Sequence, residues 1–296
     1  MRKPIKNFKI FEQGIIIVVL ICGIASQSFA DVLFSTSAPP RQIKSISVVS
    51  PPSSPVDDGV VAKKDFSLPL GTNVTIDFVW LKQINMWVSK YEITNEQYER
   101  FNPNHQILPY YSRTFDESNQ PVVFVSWDDA NSFCSWLNKK YMNRIPPGYV
   151  FRLPVEKEWE QYALCGKNKR FPWGNDWPPP DSFNYCGEEG NGFFYTLFER
   201  ETHYIKEHRD GFVVAAPVKQ SGKNEWGLYG VGGNVWEWCL DWFDEEKLAK
   251  SLRGASWYNW QQEIIAITNR SSCFPHKSNA MIGFRVVIAP PPLIDY

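Results

Sequence analysis

Residues 227–238 read GLYGVGGNVWEW, and the first half of that stretch suits neither a helix nor a strand interior. Glycine costs folding entropy and contributes no packing, so four within seven residues imply that the backbone itself must approach something closely. The second half is rigid: Glu237 stands between Trp236 and Trp238. Rings on both sides screen a carboxylate from water, which is costly unless it is paired or bound to a cation. Two readings follow, a tight structural turn or a backbone-lined site, and these twelve residues do not separate them.

The same alternation of aromatic bulk and flexible loop runs through the chain, which carries 13 Trp, 13 Tyr and 20 Phe in 296 residues. Such a load suits an irregular fold whose long loops are pinned by rings, or an aromatic binding surface. The charge balance, 31 basic against 32 acidic residues, favours neither nucleic acid nor an acidic membrane as a partner.

The first 30 residues read as an export signal. Arg2, Lys3, Lys6 and Lys9 precede the apolar run Ile15 to Ile24, and Ser28-Phe29-Ala30 forms a small-x-small cleavage site before Asp31. The apolar run is too short for a spanning helix. Ile21 before Cys22 is too large for a lipoprotein signal. Residues 31–67 are rich in Pro, Ser and Val and read as an extended linker, leaving 68–296 as one folded domain. The expected location is the periplasm or the exterior, where disulfides persist. Removing Cys22 leaves Cys134, Cys165, Cys186, Cys239 and Cys273, an odd number with no CxxC spacing.

Three helices are marked by their starts. Thr94 and Gln97 form a capping box, Ser126 precedes two acids and the stripe Ala130, Phe133, Cys134, Leu137, and a third helix begins near Pro154 and buries Trp159, Tyr162 and Ala163. Short strands are expected at 74–81, 86–93, 122–125, 212–216, 264–268 and 284–288. Few helices, scattered strands and long loops indicate an α+β domain.

The segments VSKYEITNEQY (88–98), PVVFVSWDDANSFCSWLN (121–138), FRLPVEKEWEQYA (151–163), FPWG (171–174), GLYGVGGNVWEW, LRGASW (252–257) and GFRV (283–286), in this order, resemble the sulfatase-modifying factor family, the formylglycine-generating enzyme domain. The resemblance covers roughly residues 70–289 and implies that family's irregular C-type-lectin-like fold. Glu92, Arg152 and Arg285 are expected in buried or half-buried charge networks rather than in catalysis, since charges are seldom buried unpaired. Val155 stands where the family usually has Thr, which removes an N-cap oxygen from the third helix.

The resemblance also implies structural calcium, whose ligands are oxygens, many of them from peptide groups. One implied site comprises Asn184, the Tyr185 carbonyl, Asp210 and the Phe212 carbonyl. The other comprises the carbonyls of Gly233 and Val235 and the carboxylate of Glu237, but Gly230 replaces its usual Asn or Asp ligand. Stabilisation by calcium is the expectation.

The family's enzymes use two cysteines after an RGGS-like strand to hold copper and engage a substrate thiol, chemistry suited to soft thiolates. Here Ser256 matches the family's serine, but Asn259 and Ile264 match the two cysteines, and no cysteine lies between 240 and 272. Copper and formylglycine formation are therefore not expected. Val286 likewise replaces a cysteine partner after GFR. In the altered loop, Ser256, Trp257, Tyr258, Asn259, Trp260, Gln261 and Gln262 combine rings and amides, a composition suited to recognition. The chain here resembles exported lectin-fold relatives whose C-terminal segment, from RGxSW to GFR, is diversified for ligand binding. The leading expectation is thus an exported, non-catalytic module for a protein, peptide or glycan. The alternatives are a formylglycine-generating-type oxidase using other residues, around Ser256 and Cys273, and a structural envelope component.

Overall fold

The computed structural model describes residues 35–36, 63–109, 113–191 and 203–292. The expected export signal lies outside them, as does most of the expected linker. Among the described residues no helix is long and apolar enough to cross a membrane.

In chain order the strands are β1 (Ser35–Thr36), β2 (Phe66–Gly71), β3 (Val74–Leu81), β4 (Met86–Ser89), β5 (Val150–Arg152), β6 (Trp236–Trp242), β7 (Lys250–Arg253), β8 (Ser271–Cys273), β9 (Lys277–Ser278), β10 (Ile282–Gly283) and β11 (Val287–Ala289). The helices are α1 (Asn95–Glu99), α2 (Trp127–Tyr141), α3 (Glu156–Leu164) and α4 (Gln262–Ile265). An antiparallel five-stranded sheet has the order β2-β3-β4-β11-β5, and a four-stranded sheet has the order β10-β6-β7-β8 with β10 parallel to β6. β1 pairs with β9.

The helix starts follow the sequence chemistry. Thr94 and Gln97 make reciprocal bonds at α1, as do Ser126 and Asp129 at α2. α2 buries Ala130, Phe133, Cys134 and Leu137 against the core beneath β5. At α3, Val155 has no side-chain acceptor; Glu158 Oε2 takes the Val155 amide at 2.9 Å, and Asp241 Oδ2 reaches from β6 to take the Glu156 amide at 2.7 Å. Part of the missing cap is therefore supplied by a neighbouring strand.

Three expected strands are absent for identifiable reasons. In 122–125 the ladder is interrupted at Phe124, whose φ is 57°. In 212–216 the backbone bonds to side-chain amides instead of a strand: Asn184 Nδ2 donates to the Val214 carbonyl and Asn234 Oδ1 accepts from the Ala216 amide. The apolar run at 264–268 opens inside α4, its two isoleucines packed into the core.

Rings do pin the loops. Trp87, Trp127, Trp238 and Trp257 each donate an indole N–H to a distant carbonyl, those of Lys64, Cys239, Val125 and Ala280 respectively. Each ring thus contributes apolar area and satisfies a loop acceptor.

Candidate functional site

The glycine-rich stretch delivers Glu237 to the second position of β6, where it is fully buried. Both its oxygens lie 2.8 Å from Arg285 Nε, Arg285 Nη2 lies 2.7 Å from Oε1, and Trp159 Nε1 donates to Oε2 at 2.8 Å. The guanidinium also donates to the carbonyls of Ser89 and Tyr229. Arg285 thereby ties β4 and the loop before β6 to Glu237. Arg152 makes a bidentate pair with Glu158 at 2.7 and 2.8 Å. Both pairs are satisfied networks of the kind that burial of charge demands.

Glu92 completes the cluster. It is fully buried, accepts from Asn234 Nδ2 at 3.0 Å, and leaves Oε2 without a partner. Burial pushes its carboxyl up to about 7, against the attraction of Arg285. Its carboxylate lies directly over Gly230, at φ 65°, so a Cβ there would collide with it. The second implied cation position is thus altered twice: Glu92 fills the space of a side chain at 230, and Arg285 and Trp159 take most of the acceptor capacity of Glu237. Gly233, at φ 83°, lies against the Asn184 carbonyl, and the Val235 side chain lies against Gly283. These residues do not suit calcium.

At the other implied position the structure brings Asn184, Tyr185, Asp210 and Phe212 together. Asp210 Oδ1 accepts from the Phe212 amide at 2.7 Å and Oδ2 from the Tyr185 amide at 3.0 Å. Asn184 is fully buried, and its Oδ1 has no partner. A buried oxygen left bare, in the residue before the Tyr185 amide that Asp210 holds, suits a cation. His208, which the sequence reading passed over, is also fully buried, with Nε2 at 3.2 Å from Asp210 Oδ2. The signal available was the spacing in His208-Arg209-Asp210, an imidazole two residues from a carboxylate.

The altered loop divides into support and surface. Ser256, Trp257 and Asn259 are buried and are not presented to solvent. Asn259 Oδ1 accepts from the Ser256 amide at 2.9 Å and from its hydroxyl at 3.0 Å, closing a tight turn. Trp257 packs beside Phe115 with ring centroids 5.7 Å apart. Tyr258, Trp260, Gln261 and Gln262 are half-exposed, and the exposed His203 stacks on Trp260 at 5.6 Å and 24°. Ile264 is the third residue of α4 and packs into the core.

No disulfide joins the described cysteines to one another, and Cys134, Cys165, Cys186, Cys239 and Cys273 are all buried. Burial pushes the thiols of Cys134, Cys165, Cys186 and Cys239 up, Cys186 to about 12. Cys273 lies within β8, opposite Lys250.

Residues 78–290 match the family model described as the sulfatase-modifying factor enzyme 1-like domain. The chain belongs to that family. It is 31% identical over 185 residues to the formylglycine-generating enzyme of Streptomyces coelicolor, covering 56% of this chain and 52% of the relative. It is 32% identical over 172 residues to the inactive C-alpha-formylglycine-generating enzyme 2 of Bos taurus, covering 56% and 49%. The chain thus spans about half the length of these curated relatives. Among solved structures, Treponema denticola variable protein 1 shares the fold with a TM-score of 0.58 and 20% identity, covering 76% of this chain and 99% of that one. PvdO from Pseudomonas aeruginosa does so with a TM-score of 0.52 and 20% identity, covering 76% and 90%. The sulfatase-modifying-factor-like domain therefore has the irregular α+β fold expected of it.

Proposed function

We propose that this sulfatase-modifying-factor-like domain is an exported, non-catalytic binding module, and that its recognition surface is the aromatic and amide platform of Tyr258, Trp260, Gln261 and Gln262 with His203. One observation carries the non-catalytic reading. The positions matching the two cysteines hold Asn259, which closes a turn on Ser256, and Ile264, which packs into the core. Neither offers sulfur to copper, and soft thiolates have no substitute in an amide or a hydrocarbon. Similarity to an inactive relative is consistent with this reading. The surface reading rests on rings held rigid from below by Trp257 and flanked by adaptable amides. A protein, peptide or glycan is the class of ligand such a surface takes.

The test has two arms. Purified protein incubated with copper, oxygen and a CxPxR peptide yields no aldehyde by mass spectrometry; aldehyde formation would return the domain to the oxidases. Screened against immobilised peptide and glycan arrays, the wild type gives signals that Trp260→Ala abolishes without loss of stability. Trp257→Ala instead costs about 3–5 kcal/mol, as for other buried aromatics. Array signals equally strong in Trp260→Ala would refute the platform.

A further inference from the structure

The outward face of α3 is polar. Glu156, Lys157, Glu160 and Gln161 recur at i, i+1, i+4 and i+5, the spacing that stacks side chains along one side of a helix. This face forms one wall of an open groove of about 520 Å³, a volume within the range of small-ligand sites. Thr268 and Arg270, just before β8, form the opposite wall, and Asp241 of β6 and Arg253 of β7 line it from the sheet. Of the described residues lining the groove, Leu164 alone is apolar, so an apolar ligand does not suit it.

These groups are held in place by the fold. Arg270 Nε meets both Glu156 oxygens, at 3.0 and 2.7 Å, and Asp241 Oδ2 accepts from the Glu156 amide at 2.7 Å. Arg253 is buried; its Nη2 donates to the Ile267 carbonyl at 2.8 Å and to Glu160 Oε2 at 3.3 Å, and its guanidinium lies over the Trp159 ring at 5.2 Å. One donor is left over. Arg253 Nε is buried without a hydrogen-bond partner, and buried polar groups are normally satisfied, so the guanidinium calls for an acceptor. Asp241 has the complementary need. Burial pushes its carboxyl up, against the Glu156 amide that it accepts, and a further donor would stabilise the charged form.

The ligand must therefore both donate and accept. Net charge does not suit it, because the carboxylates of Glu156, Glu160 and Asp241 are matched by the cations of Lys157, Arg253 and Arg270. An ion of either sign would meet like charge as readily as opposite charge. Hydroxyls fit these demands, since each can donate to a carboxylate and accept from a guanidinium. We propose that the groove between α3 and Thr268–Arg270 binds a neutral saccharide, whose hydroxyls donate to Asp241 and accept from Arg253 Nε. The groove shares no residue with the aromatic platform, so the two sites are tested separately.

The test uses the full chain with cellobiose, maltose and diacetylchitobiose, followed by saturation-transfer NMR. At least one of the three binds, and neither glycylglycine nor sulfate at equal concentration displaces it. Gln161 and Thr268 are exposed, so Gln161→Trp and Thr268→Trp fill the groove from opposite walls without entering the core. Each weakens binding roughly tenfold or more with an unchanged melting temperature, whereas Trp260→Ala leaves the affinity as it is. Binding of none of the three sugars, displacement by the zwitterion or the anion, or full affinity in both tryptophan variants would each overturn the assignment. Loss of sugar binding in Trp260→Ala would move the sugar to the platform and overturn it equally.

Discussion

Restoring the family's side chain at position 230 tests how the buried cluster is packed. Gly230 has φ 65°, a conformation that Asn adopts more readily than other non-glycine residues, so Gly230→Asn adds little backbone strain. Its Cβ, however, enters the space of the Glu92 carboxylate, which is fully buried and bonded to Asn234 Nδ2 at 3.0 Å. Displacing Glu92 breaks that bond, at about 1–3 kcal/mol for a buried group left unsatisfied. Overpacking adds about 1–3 kcal/mol. The expected loss is therefore about 2–6 kcal/mol, or roughly 4–24 °C in melting temperature for a domain of this size. Urea denaturation followed by tryptophan fluorescence measures it, in EDTA and again in calcium. In a Glu92→Ala background the same substitution should cost less than about 1 kcal/mol, because the collision partner is gone. Gly230→Asn as stable as wild type, or stabilised only when calcium is present, would show that a side chain at 230 ligates an ion instead of colliding, and would refute the reasoning.

Two further outcomes are expected. The carboxyl of Glu92 lies at about 7 in the folded protein, above its usual 4.5, so folding favours its protonated form; its contribution is fully present below about pH 4.5 and is lost as pH rises through 7. Glu92→Gln should therefore gain on wild type across that window, by about 3 kcal/mol at most, in denaturation curves from pH 5 to 8; a difference that does not change with pH would contradict the shift. Val155→Thr should stabilise α3 by about 0.5–1 kcal/mol, at the low end for an N-cap because Asp241 already takes the Glu156 amide; a loss on thermal denaturation would mean that the Val155 methyls matter more than the cap.

The readable parts of the sequence were those governed by local chemistry. Thr94 with Gln97 and Ser126 with Asp129 place helix starts because the cap and its partner lie three residues apart. Strands were less legible. The run from Ile264 is apolar without a decisive period, and four residues of α4 satisfy it as well as a strand would. Residues 212–216 have strand composition, yet their backbone partners are the side chains of Asn184 and Asn234, which no local pattern announces. The strand Trp236–Trp242 is not announced by its sequence, because its first five residues are all buried and show none of the alternation that marks a half-buried strand. At the site, the buried roles of Glu92 and Arg285 followed from the cost of burying charge. The burial of Trp257 and the proximity of His208 to Asp210 depend on how loops fold back, which sequence spacing alone does not encode.

The position of β11 has a consequence for how the protein is made. Val287–Ala289, far along the chain from both partners, lie between β4 and β5 rather than at a sheet edge. Until those residues leave the ribosome, the inner edges of β4 and β5 have no partner, and Glu237 lacks its guanidinium. The larger sheet therefore cannot close until the chain has been made through Ala289, and a product that stops before Val287 lacks the wedge that joins its two halves.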